Sequence, residues 1–133
     1  LAAKEQIMIC SSTLDEAATA QVLARREEHL GAIRAEIADR AGRVAAWMAD
    51  QTDWLEWVEP SGGVVCFPRV RSETGIDMDR FYSVLGDEHG TFVGEGHWFE
   101  ADRRHFRLGF GWPSREELAA GLESLAATAA GAR

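Results

Sequence analysis

Residues 105–112 read HFRLGFGW, with one arginine set between two apolar residues. In a strand, alternate side chains share a face, so Phe106, Leu108 and Phe110 point one way and Arg107 the other. Gly109 and Gly111 fall on the Arg107 side and add no bulk there. A guanidinium suits the clamping of a carboxylate, because its planar fork donates two parallel charge-assisted hydrogen bonds. A strand arginine serves a structural purpose equally well, by pairing with a carboxylate at the core edge or by reaching solvent. The pattern alone leaves both readings open; the chemistry it offers is anion binding.

The other reactive residue types form no constellation. His29 lies in a charged helical stretch and His89 in a turn between acids and a glycine, so both are expected to be solvated or structural. His97 and His105 flank a loop without HxH or HExxH spacing, and no metal site is expected. Ser11 and Ser12 lack a G-x-S-x-G context. Gly94-Glu95-Gly96 is not G-x-G-x-x-G and opens no helix, which argues against a dinucleotide. Cys10 and Cys66 are far apart with no metal-spaced partner. They read as small core residues in a reducing compartment, a disulfide between them being open but unsupported by the pattern, hence the expectation of a cytoplasmic protein.

Bulk properties narrow the function classes. A chain of 133 residues has the length of one domain, and 46% hydrophobic residues with five tryptophans and six phenylalanines are enough for a core. The 22 acidic against 14 basic residues give a net charge of −8. No basic run occurs, so neither nucleic acid nor an anionic membrane is an expected partner. No apolar run approaches the length of a spanning helix, and no signal-peptide pattern is visible. The chain opens on LAAKEQ without an initiator methionine, as processing would leave it or as a chain cut from something larger would begin.

The elements that must position Arg107 follow from pattern. Thr13 with Glu16 has capping-box spacing. Leu23, Leu30, Ile33, Ile37, Ala41, Val44 and Met48 then form one helical stripe, with charged residues between them as a solvated face. This is either two helices or one of about 35 residues, with Gly31 as the expected bend or break. Trp54–Glu59 and Val64–Val70 read as strands around the turn Pro60-Ser-Gly-Gly63, Pro68 favouring an edge or strand end. Asp77 caps a short helix with Met78, Phe81, Tyr82 and Leu85 inward. Thr91–Val93 is a brief strand, residues 94–104 a connection, and His105–Phe110 the arginine strand. Ser114 with Glu117 opens the last helix, whose stripe is Leu118, Leu122, Leu125 and Ala129; its small-residue tail is expected to fray. The expected fold is α+β: a two-layer domain with a small, mostly antiparallel sheet covered by helices and preceded by a long N-terminal helix. Residues 1–50 form the helical connecting part and 51–133 the α/β part.

Four segments, in order, resemble the C-terminal end of class I/II pyridoxal-phosphate (PLP)-dependent aminotransferases of the aspartate aminotransferase fold type. PSGGVVCF at 60–67 is similar to the family's P-x-G-G and following strand. TFVGEGHWF at 91–99 resembles its strand and "P-G-x-x-F", with Glu95 in place of the proline. HFRLGFGWPSREELAAGLESLA at 105–126 resembles its arginine strand and last helix. MICSSTLDEAATAQVL at 8–23 resembles the segment leading into the interdomain helix. The resemblance covers essentially the whole chain and implies that it is the C-terminal small domain of such an enzyme.

Residue by residue, it implies that Arg107 binds the substrate α-carboxylate and that Gly109 keeps that face open. Gly63 would lie near the substrate mouth, and Ser11 and Ser12 near the cofactor phosphate of a partner subunit. The partners implied are an amino acid and a 2-oxo acid, a missing N-terminal large domain and a second copy in a homodimer. PLP would be the cofactor of the full-length enzyme. The only lysine, Lys4, does not match the position of the family's cofactor-bearing lysine, so the isolated chain is expected to be inactive. Two alternatives stay open. The chain is part of another fold-type-I PLP enzyme (a lyase, decarboxylase or synthase) or of an aminotransferase-like regulator, or it is a stand-alone structural or interaction domain.

Overall fold

A computed structural model describes residues 12–133, which fall into two compact units meeting in sequence between Glu36 and Ile37. The first contains α1 (Thr13–Ala24) and the start of α2 (Arg26–Asp50). Ser12, one residue before the expected cap, is the N-cap: its extended backbone lets its hydroxyl accept from Asp15 N at 3.4 Å. Thr13 is already helical. The break falls at Arg25, with φ −111° and ψ 20°, and not at Gly31. Glycine in a helix costs about 1 kcal/mol against alanine but does not forbid helical angles, and α2 runs through it. Arg25–Glu28 and Arg34–Glu27 pairs, at 2.6 and 2.9 Å, form the expected solvated face. Every described residue of this unit is exposed, including the stripe residues Leu23, Leu30 and Ile33.

In the second unit the stripe becomes core. Ile37 and Ala41 are half-buried, and Val44 and Met48 are buried. Four short strands and one of four residues follow: β1 (Leu55–Glu56), β2 (Val65–Cys66), β3 (Arg69–Val70), β4 (Gly94–Glu95) and β5 (Phe106–Gly109). β1 pairs with β3, and a three-stranded sheet has the order β2-β5-β4; all pairs are antiparallel. An Arg69–His105 bridge links the two pieces. Helices α3 (Met78–Asp87) and α4 (Arg115–Gly131) supply the second layer. The architecture is thus the α+β two-layer domain with a small antiparallel sheet, preceded by a long helical segment.

Local signals set the helix starts. The Asp77 carboxylate accepts from Asp79 N and Arg80 N at 2.9 and 3.2 Å, and Ser114 and Glu117 complete a reciprocal capping box. Helix α3 then presents Met78, Phe81 and Leu85, and α4 presents Leu118, Leu122, Leu125 and Ala129, to a core containing Phe106, Leu108 and Phe110.

Three further expectations change. Val64–Val70 is not one strand, because Pro68 has no N–H for a ladder and the chain changes sheets there; the Pro68 carbonyl instead accepts from Phe106 N at 3.0 Å. The strand expected at Thr91–Val93 lies at Gly94–Glu95, since Thr91 N is tied to Leu85 O at the end of α3. The C-terminal tail does not fray. Helix α4 reaches Gly131, Ala129 and Ala132 are buried, and Asp77 N donates to Ala132 O at 3.0 Å. Cys66 is buried, and that burial pushes its thiol up to about 11, as suits a core residue. Cys10 lies outside the described residues. Among those described, no helix is long and apolar enough to cross a membrane.

Candidate functional site

Strand β5 alternates as its sequence demands: Phe106 and Leu108 are buried, while Arg107 and Gly109 are exposed. The ladder places Gly94 of β4 directly opposite Arg107. A methyl on Gly94 would lie 3.0 Å from Phe99 Cε2 and 3.3 Å from Arg107 Cβ. The missing side chain is therefore what admits the Phe99 ring against the strand. The Arg107 guanidinium carbon lies over that ring, 5.0 Å from its centroid. Phe99 meets Phe67 edge-on at 5.7 Å, and Phe67 stacks on His105 at 5.3 Å and 14°. Arg107 thus stands at one end of a short aromatic row on the open face of the sheet.

Its electrostatic setting differs from that of its neighbours. Arg69 pairs with Glu56 at 2.6 Å, and Arg103 pairs with Asp79 and with Glu95. No carboxylate among the described residues pairs with Arg107. Of the readings the sequence left open, pairing with a core-edge acid is not found there. The guanidinium is exposed and lies over an aromatic face, so both reaching solvent and meeting an anion stay open.

Only one of the two glycines expected to clear this face does so. A methyl at Gly109 would meet nothing within 4 Å. One at Gly111 would lie 2.5 Å from Val64 Cβ, so Gly111 is there for packing. Gly63 takes φ +94° in the bend before β2. Val65 pairs with Gly109, so Gly63 stands about 13 Å along the ladder from Arg107, four residues away. The structure does not bring it beside the arginine. Ser12 caps α1 in the other unit, and Ser11 lies outside the described residues.

An open cleft of about 300 Å³ continues from the aromatic row, lined by Glu56, Trp57, Val58, Phe67, Arg69 and His105. Glu56 is held below the usual carboxylate range, first by its hydrogen bond from Arg69. Tyr82, beneath His105, lies 2.8 Å from Arg103 O and 3.0 Å from His105 O, which share its hydroxyl proton. Burial, with Glu95 adding to it, pushes the Tyr82 hydroxyl up to about 12. Among the described residues, no group of three or more His, Cys, Asp or Glu is placed to hold a metal ion. Residues 12–133 contain no lysine, so none of them can carry PLP covalently.

Phe99 and Gly94 lie in the TFVGEGHWF segment that carries the resemblance, but the sequence assigns neither of them a role at Arg107. The one signal was glycine inside a strand, which marks close approach of another group; the register that sets Gly94 against Arg107 has no local signature.

No protein-family model and no curated protein sequence matches the chain. Solved structures do. A PLP-dependent cyclase, OrfR, is 28% identical, with 96% of this chain and 34% of that one aligned at a TM-score of 0.77. A PLP-dependent aminotransferase from Streptococcus suis is 25% identical, covering 98% and 33%, at 0.76. LysN, an α-aminoadipate aminotransferase from Thermus thermophilus, shares the fold at 16% identity, covering 97% and 34%, at 0.74. Over nearly its whole length this chain is similar to one portion of these larger PLP-dependent enzymes, and it shares the fold-type-I, aspartate-aminotransferase-like fold. It spans about a third of the length of these structures.

Proposed function

We propose that this chain is the C-terminal small domain of a PLP-dependent aminotransferase and that Arg107 holds the substrate α-carboxylate. The observation that carries this reading is the exposed Arg107 guanidinium, lying over the Phe99 ring with no acid partner among the described residues, in a chain with this homology. PLP, when bound, supplies the electron sink for bond breaking at the substrate's Cα. This chain supplies binding and orientation. The guanidinium fork grips both carboxylate oxygens and fixes the carboxylate plane; with a second anchor at the amino nitrogen, that sets the direction of the remaining Cα bonds. The same grip serves an amino acid and the corresponding 2-oxo acid, since both keep the carboxylate. Gly109 leaves the space a substrate needs beside the fork. Gly63, away from the clamp itself, lies toward the mouth through which substrate enters, and Ser11 and Ser12 reach the cofactor phosphate of a second copy in a homodimer. An N-terminal large domain supplies the lysine and the remaining cofactor contacts, so residues 1–133 alone are inactive. The whole enzyme is cytoplasmic.

The 28% identity to a PLP-dependent cyclase supports a second reading, a fold-type-I enzyme of other chemistry that uses the same clamp. One assay separates the two. A longer polypeptide carrying this chain is loaded with PLP and given a mixture of amino acids with pyruvate. Equimolar appearance of alanine and a new 2-oxo acid is the expected result. Cyclised or decarboxylated products without alanine would establish the second reading, and failure to retain PLP would leave a stand-alone domain.

A further inference from the structure

We propose that Phe99 is the positioning residue of the Arg107 clamp, and that Gly94 and Gly96 exist in this sequence to put it there. The inference rests on the carboxylate-clamp reading of Arg107 and adds what sets that arginine's direction and keeps its charge available.

An arginine side chain has several rotatable bonds, and an exposed one loses affinity to its own disorder. Proteins commonly fix such a side chain with a carboxylate, as Glu56 fixes Arg69 here. That solution spoils an anion site, because the fixed charge is already neutralised. An aromatic face avoids the conflict. Its quadrupole attracts the guanidinium and orients its plane, yet it carries no net charge and accepts none of the N–H donors at the fork's edge.

The local structure around Phe99 is built for this placement. Gly96 N donates to His105 O at 2.8 Å, and the chain then turns through a 3-10 helix over Gly96–Phe99. A methyl on Gly96 would lie 2.2 Å from Asp102 O and 2.7 Å from His105 O, so no other residue fits without movement. Glu100 closes the turn in the left-handed region at φ +56°. This geometry brings Phe99 back over β4, where the absent side chain of Gly94 leaves its place against Arg107. Phe67 supports the ring's edge. Phe99 itself is 42% exposed, so its ring is not spent on filling the core. The segment Gly94-Glu95-Gly96, which has no phosphate-binding pattern, gains its purpose here.

The test uses the 133-residue chain and nuclear magnetic resonance of the Arg107 Nε–H group, with pyruvate as probe and methyl pyruvate as the control lacking a carboxylate. In the parent chain the Nε–H proton is shifted by the Phe99 ring current, and pyruvate but not its ester moves it. Phe99→Leu removes the ring-current shift and weakens pyruvate binding about three- to thirtyfold, the range expected for losing a cation–π contact. Phe99→Tyr retains both. Phe99→Glu keeps the arginine ordered but weakens pyruvate more than Phe99→Leu does, because the new carboxylate occupies the fork. Pyruvate binding at Arg107 that is unchanged in Phe99→Leu overturns the positioning proposal and leaves the clamp standing. Absence of any pyruvate-specific shift at Arg107, or binding unchanged by Arg107→Ala, overturns the clamp reading and this proposal with it.

Discussion

The two faces of β5 divide its four residues two and two, under opposite rules. On one face Phe106 is fully buried, Leu108 nearly so, and both sit in a core closed by α3 and α4. On the other, Arg107 and Gly109 are exposed, and the groups around them are held back: an absent side chain at Gly94, open space at Gly109, a ring beneath a cation. The first face converts area removed from water into stability. The second contributes little stability and retains an uncompensated charge, which suits a surface that meets a ligand. The contrast teaches that Arg107 is no stray from the core pattern. The phenylalanines fix the strand so that the arginine beside them has a defined place to stand.

The strongest way to break the contrast is to cross the two faces in a stability measurement. Phe106→Ala should cost about 3–5 kcal/mol in urea unfolding, the range for emptying a buried aromatic site. Arg107→Ala should change stability by less than about 1 kcal/mol, because it loses only an exposed cation–π contact. Equal losses would mean that the arginine is structural after all.

A smaller effect sharpens the account of how the core side reaches the start of β5. Tyr82 is the chain's single tyrosine, so the ultraviolet absorbance of tyrosinate reports it alone. Its ionisation should fall near pH 12 in the folded chain and near 10 in urea. The folded value lies above the unfolded one. The contribution to stability is therefore complete below about pH 10 and is lost as pH rises toward 12. A folded midpoint near 10 would mean that the hydroxyl is not buried as the structure has it.

The parts of this fold that the sequence makes legible are those with local causes. Ser114 with Glu117 and Asp77 before Met78 carry their caps within four residues, and the stripe of α4 repeats every three or four residues. The alternation on β5 is legible for the same reason. Elements of two residues have no period to read, which is why the chain switch at Phe67-Pro68 and the strand at Gly94–Glu95 were misplaced. The break at Arg25 was also hidden, since glycine propensity pointed to Gly31. The candidate site divides in the same way. Arg107 stands out as a cation on a glycine-rich strand, whereas Phe99 becomes its neighbour only through the Gly94–Arg107 register, a pairing 13 residues apart in sequence that no local pattern encodes.

The central claim is that Arg107 grips a substrate carboxylate, and its most direct test is kinetic. In a longer PLP-loaded polypeptide carrying this chain, on the proposed function, kcat/KM is measured for an accepted amino acid and for its amide, with Arg107 intact and as Arg107→Ala. The account predicts that the intact enzyme strongly prefers the acid, and that Arg107→Ala lowers kcat/KM for the acid on the order of 10²- to 10³-fold, as losing two charge-assisted hydrogen bonds implies. The amide should be little affected, so the preference collapses. Unchanged kcat and KM for the acid in Arg107→Ala would contradict the claim.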